Sequence, residues 1–217
     1  MNLEGVYKKI KNTKPQIVYI SGKTSTGKTT FAHQLVEDLG YVSISFDQIV
    51  QKNVVEKFGV DDVPKAYVVA YRFGEPSEWR EAFITGAQQE LRKAILRGNV
   101  VVEGSMANPH TLKSIFSDTL SDFEFIYIHP TPIEKYTSRI YKRFIGGVRK
   151  GTSGLPKDFW PMLPNGELEK FKKTGEMTND IENSIKEFSK KSQTESSERL
   201  RVLQEVFSDI TVVDLEN

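Results

Sequence analysis

One octapeptide constrains this chain more than any other stretch of it. Gly22-Lys23-Thr24-Ser25-Thr26-Gly27-Lys28-Thr29 fits the pattern G-x-x-x-x-G-K-[ST]. The apolar run Gln16-Ile17-Val18-Tyr19-Ile20 leads into it, and a helical pattern follows. Phe31, Leu35 and Leu39 recur at spacing four, and Gly40 stands where a helix C-cap belongs. A strand, a glycine-bounded loop and a helix in that order form a phosphate-binding loop. Gly22 and Gly27 allow the backbone angles that turn successive N–H groups inward. The helix that starts there presents its positive end to an anion. Lys28 supplies a mobile charge to the outer phosphates, and Thr29 supplies a hydroxyl to Mg²⁺. The expected nucleotide-binding set is Gly22, Lys23, Thr24, Ser25, Thr26, Gly27, Lys28, Thr29 and Thr30.

Four more short apolar runs fall between longer helical stretches: Tyr41–Phe46, Asn99–Glu103, Phe123–Ile128 and Asp209–Val213. Nearly continuous apolar strands alternating with helices predict an α/β fold with a parallel sheet covered on both faces. Helices are expected over Glu78–Arg97, from Pro132 to Phe144, and over Met177–Phe207, the last with a serine- and lysine-rich stretch near Ser189–Ser197 that would kink or fray. Gly146-Gly147 reads as a helix break and a hinge. The glycine- and proline-rich stretch that follows reads as a lid, over about 144–164, ending in Phe159-Trp160-Pro161-Met162. A length of 217 residues fits a single domain with such a lid.

Composition removes several function classes. There is no cysteine, which excludes a disulfide scaffold, a zinc ribbon, an iron–sulfur centre and a thiol nucleophile. His33, His110 and His129 have no metal-ligand spacing. A net charge of +1 argues against a generic nucleic-acid coat. No apolar run is long enough to span a membrane. The first five residues lack the apolar core of a signal peptide, and the composition fits the cytoplasm.

Two carboxylates fall at the ends of expected strands: Asp47 after the second and Glu103 after the third. Strand carboxyl ends share a rim in a parallel sheet, so both acids should face the loop. One would accept a proton from, or orient, an acceptor hydroxyl. The other would stand on the metal side. Asp47 is placed in the first role, and Glu103 with Thr29 in the second. A local charge imbalance falls over Ile133–Lys157, with seven basic residues (Lys135, Arg139, Lys142, Arg143, Arg149, Lys150, Lys157) and one acid. Arg139 and Arg143 are four apart and share a helix face. They would clamp phosphate oxygens and, with Lys28 and Asp47, make up the expected catalytic set.

These residues resemble a family. Ile17 through Thr30, Asp47, and Val101-Val102-Glu103-Gly104 look like the P-loop nucleoside and small-molecule kinases, nicotinamide riboside kinase and uridine kinase in particular. Phe159-Trp160-Pro161-Met162 is similar to an aromatic-Trp-Pro stretch beyond the lid in the riboside kinases. The resemblance implies a three-layer fold with five parallel strands in the order 2-3-1-4-5. It also implies ATP as donor, Mg²⁺, and transfer of the γ-phosphoryl group to a hydroxyl of a nucleoside-like or other small acceptor. Gln48 departs from it, because those kinases often carry a second acid there, and Gln51–Glu75 matches no part of it. The loop with Ser45-Phe46-Asp47 also resembles isopentenyl (dimethylallyl) transferases acting on adenine nucleotides. Zeta-toxin-like kinases and polynucleotide 5′-kinases share the same loop and acid, and a non-catalytic nucleotide-binding module is a further alternative. The expected partners are a nucleoside triphosphate and a small acceptor, with a nucleic-acid end as the lesser alternative. No membrane partner is expected, and the chain would act as a monomer or homodimer.

Overall fold

The computed structural model describes residues 1–71, 76–105, 108–117, 122–149, 159 and 162–215. Five parallel strands form its sheet: β1 (Ile17–Gly22), β2 (Val42–Ser45), β3 (Val100–Glu103), β4 (Phe123–His129) and β5 (Ile210–Asp214). Their order is β2-β3-β1-β4-β5, as the resemblance implies. The central strand β1 pairs Ile17–Ile20 with Val100–Glu103, and Ile17–Gly22 with Phe123–Ile128.

The helices are α1 (Leu3–Thr13), α2 (Lys28–Leu39), α3 (Phe46–Val50), α4 (Val63–Tyr71), α5 (Ser77–Ile95), α6 (Pro109–Phe116), α7 (Ile133–Arg149), α8 (Glu167–Thr174) and α9 (Asn179–Gln204). A π-helical stretch, Gln51–Glu56, continues α3. Strand alternation sorts the core into two halves. Ile17, Tyr19, Val100, Val102, Phe125 and Tyr127 face α3 to α6. Val18, Ile20, Val101, Ile126 and Ile128 face α1, α2, α7 and α8. The long α9 serves both. Its Ile181, Ile185 and Phe188 join the second core, while Leu203 joins the first.

Two expectations about the chain's irregular stretches are corrected. Gly146-Gly147 does not break the helix, which runs through to Arg149. Phe144, Ile145 and Val148 are packed on the second core and hold α7 down on either side of the pair. That packing outweighs the helix cost of glycine, about 1 kcal/mol each. The serine-rich part of α9 does not fray; the helix is continuous over Asn179–Gln204. Ser189, Ser192 and Ser196 are buried, and Ser189 returns its hydroxyl to the Ile185 carbonyl at 2.8 Å. Small residues let the helix lie close, and Tyr127 Oη reaches the Ser196 carbonyl at 3.2 Å. Most of the expected lid, including Lys150, Lys157, Trp160 and Pro161, lies outside the described residues. Phe159 is fully buried, between the rings of Phe144 and Phe188.

Several helices carry only weak sequence signals. In α1, Val6 and Ile10 are fully buried and Asn2 caps the Gly5 N–H at 2.7 Å. In α6, Asn108 caps Thr111 at 3.1 Å with Pro109 in the first turn.

The strand pairing fixes one glycine absolutely. A Cβ on Gly22, whose φ is +143°, would lie 2.4 Å from the Ile128 carbonyl oxygen. By contrast, a Cβ on Gly146 would meet nothing within 4 Å. Gly22→Ala is expected to cost about 2 kcal/mol or more of stability. Gly146→Ala should add about 0.5–1 kcal/mol, because α7 is continuous there. Urea unfolding of both variants checks this; a Gly146→Ala variant less stable than the parent would contradict a continuous α7.

Candidate active site around the phosphate loop

The loop leaves β1 at the middle of the sheet and ends on the first turn of α2. Gly27 takes φ +96° at the helix N-cap, and Ser25 is also left-handed, at +62°. Thr26 Oγ1 donates to the Lys23 carbonyl at 2.8 Å, closing the loop on itself. Lys28 folds back into it, and Nζ donates to the same Lys23 carbonyl at 2.8 Å. The Lys28 side chain is buried, which pushes its ammonium down to about 8. Glu103 and Asp47 oppose that shift, and Arg143 and Arg199 add to it.

Two helices hold the loop from outside. From α7, Arg139 Nη1 donates to the Thr26 carbonyl at 2.9 Å. Arg143 Nη1 donates to Thr24 Oγ1 at 2.7 Å and Ser25 Oγ at 3.2 Å. From α9, Glu195 forms an ion pair with Lys23. Burial would raise the Glu195 carboxyl, but the Lys23 bond and the nearby Arg199 and Lys191 charges hold it below its ordinary value. The expected basic face on α7 is therefore turned onto the loop. Arg139 and Arg143 contact it directly, while Lys142 is exposed.

Both expected carboxylates arrive at the same place. Asp47 is not on β2; it lies two residues beyond it, in the first turn of α3. Glu103 ends β3 and accepts from Thr29 Oγ1 at 3.2 Å. The loop residues Thr24, Ser25, Gly27, Lys28, Thr29 and Thr30 line one cavity of about 270 Å³ together with Asp47, Glu103, Ser105 and Arg143. Gly104 makes this convergence feasible. A Cβ there would come within 2.9 Å of the Phe46 ring, which sits directly before Asp47.

Tyr67 and Tyr71 lie between Asp47 and β3, where the sequence places an acceptor-binding insert, and both reach Asp47. The Tyr71 hydroxyl donates to Asp47 Oδ1 at 2.5 Å, and Tyr67 Oη donates to the Asp47 carbonyl at 3.2 Å. Burial and the Asp47 charge push the Tyr71 phenol well above its usual range, so it stays a donor. Its place in the stretch before β3 was the only signal. Ser105 and Glu195 had none. His129 is held by its neighbours: Nδ1 lies 2.6 Å from Thr131 Oγ1 and Nε2 3.1 Å from Ser197 Oγ.

The oxygen-rich cavity suits a hard cation carried in on phosphates. Thr29 and Glu103 offer oxygens there, with Asp47 near. Among the described residues no group of three or more His, Cys, Asp or Glu could hold a metal unaided.

Loop, strand order and helices on both faces define a P-loop domain with the strand order of the P-loop kinases. Residues 1–102, just under half of the chain, match the NB-ARC domain family. No curated protein matches the chain. Solved structures similar to it include a gluconokinase from Sinorhizobium meliloti, at 13% identity and TM-score 0.49, covering 94% of this chain and 84% of that one. A sugar kinase from Janibacter is 14% identical at TM-score 0.47, covering 93% and 86%. An uncharacterized protein from Eubacterium ventriosum is 13% identical at TM-score 0.44, covering 91% and 87%. Among the described residues no helix is long and apolar enough to cross a membrane.

The buried Lys28 gives a pH signature. A bound polyphosphate restores the charged form, so binding at pH 8 should take up about half a proton at this lysine. Affinity should fall as pH rises through 8 toward 10.5. Stability moves the other way. In that window the unfolded chain holds more protons at Lys28, so the penalty of burying it, full below 8, is relieved as pH rises. Calorimetry of ATP binding in buffers of different ionisation enthalpy measures the uptake; none at any pH between about 8 and 10 would contradict a Lys28–phosphate contact.

Proposed function

We propose that this chain is a Mg²⁺- and ATP-dependent phosphotransferase that moves the γ-phosphoryl group to a hydroxyl of a small acceptor. The observation that carries the reading is the shared cavity, in which Lys28 and Arg143 face Asp47 and Glu103. A cradle alone serves binding. A cradle facing an oriented carboxylate also serves transfer to an alcohol.

Each residue has a distinct task. The loop N–H groups and Lys28 hold the phosphates and place the γ-phosphorus. Asp47 accepts the acceptor's hydroxyl proton as the new O–P bond forms and the bond to the β-phosphate's bridging oxygen breaks, releasing ADP. The Tyr71 hydroxyl on Asp47 Oδ1 fixes the carboxylate and leaves Oδ2 for the acceptor. Arg143 meets the charge spread over the transferring oxygens. Thr29 and Glu103 would hold the metal, which supplies charge neutralisation at the phosphates.

A second reading has one observation in its favour. The NB-ARC match over residues 1–102 fits a domain that binds or hydrolyses nucleotide with no alcohol acceptor. Products separate the two. Incubation with ATP and a panel of nucleosides, vitamins, sugars and 5′-hydroxyl oligonucleotides should give ADP and a phosphorylated acceptor. Asp47→Asn should lower kcat by about 100-fold or more while ATP binding stays near the parent value. Tyr71→Phe should lower kcat less. Inorganic phosphate as the only product, at equal rates with every acceptor, would overturn the transferase reading.

A further inference from the structure

A nucleoside triphosphate is longer than the cavity that takes its phosphates. Ser25, Gly27, Thr30 and Arg143 line the 270 Å³ cavity, and they also line a second one of about 710 Å³. The remaining wall of the larger cavity includes Leu3 and Tyr7 of α1, Phe31 and Gln34 of α2, and Arg139 and Lys142 of α7. We propose that this second cavity seats the nucleoside half of the donor, with α1 as its outer wall and Tyr7 as a stacking surface for the base. The proposal rests on reading the loop as a triphosphate cradle.

Polarity of the site sets the direction. Lys28, Thr29, Asp47 and Glu103 line the small cavity and do not line the large one. The reacting end of the donor belongs with those groups. A phosphate chain running away from them passes Ser25, Gly27 and Thr30, and its other end enters the large cavity.

The wall chemistry fits a base and ribose. Small-molecule sites combine apolar and aromatic surface with a few placed polar groups. Leu3 and Tyr7 give the apolar side and are packed on the core beneath α1. Burial first, and then the nearby Asp38 carboxylate of α2, raise the Tyr7 phenol above its ordinary value, so it stays neutral. Gln34 is exposed one turn beyond Thr30, and its amide offers both a donor and an acceptor to a base edge. The Arg139 guanidinium, fixed by the Thr26 carbonyl, gives a flat cationic surface suited to stacking. Glu4 is the acid of this wall, and its charge is paired with Lys8 at 2.6 Å.

The wall is built before any ligand arrives. Val6 and Ile10 root α1 in the second core, and Lys9 ties it to Glu124 of β4 at 2.8 Å. A rooted helix presents Tyr7 without an ordering cost on binding.

Calorimetric titration of the full chain with ATP and with inorganic tripolyphosphate tests this, on the parent, Tyr7→Ala, Tyr7→Phe and Gln34→Trp. Thermal melts confirm that each variant is folded. ATP binding should weaken roughly tenfold or more in Tyr7→Ala, as for other base–aromatic stacks, and remain near the parent in Tyr7→Phe. Gln34→Trp should fill the cavity and weaken ATP likewise, while tripolyphosphate binds all four proteins alike. Parent-like ATP affinity in both Tyr7→Ala and Gln34→Trp would overturn the proposal and leave the cradle intact. So would equal losses of ATP and tripolyphosphate, which would mean the two residues only support the loop. A parent that binds neither ligand would remove the cradle reading itself.

Discussion

Lys28 carries a positive charge into a place that water scarcely reaches, and much of the fold around it exists to hold that charge there. Isolated, a buried ammonium sheds its proton. Here it keeps a carbonyl partner at 2.8 Å and two carboxylates across the cavity, and is lowered only to about 8. An anion entering the loop completes the set. This electrostatic arrangement requires the loop to sit at the centre of the sheet, where strand ends on both sides can bring acids and bases to it.

The sheet order provides this. With β1 between β3 and β4, Glu103 arrives from one neighbour, and the other leads into α7 with Arg139 and Arg143. Asp47 comes from β2, one strand further out, and reaches the cavity because α3 turns at once over the end of β3 with Phe46 pressed on Gly104. The loop is held at several points: by α7 through Thr24, Ser25 and Thr26, and by α9 through the Lys23–Glu195 pair. Rigid placement of this kind is what phosphoryl transfer demands, since the protein contributes positioning and charge more than covalent chemistry.

Much of this was legible in the residues. The motif from Gly22 to Thr29, flanked by a strand and a helix, identified the cradle, and the β-branched runs located all five strands. Asp47 and Glu103 were legible because strand ends share a rim. What stayed hidden depended on tertiary contact. Gly146-Gly147 looked like a hinge because glycine weakens a lone helix, yet packing at Phe144 and Val148 overrides propensity. The serines of α9 looked like a fraying segment because nothing local shows that they are buried. Tyr71 reaches Asp47 and Glu195 reaches Lys23 from distant stretches, and no spacing rule links either to the loop.

The most direct test replaces the buried charge with an apolar side chain of similar length. In Lys28→Met the desolvation cost disappears, so the ligand-free variant should melt at or above the parent's temperature. It should also lose the rise in melting temperature that ATP gives the parent, together with any turnover. A variant that melts below the parent, or that gains as much from ATP and still turns over, would contradict the account at its centre.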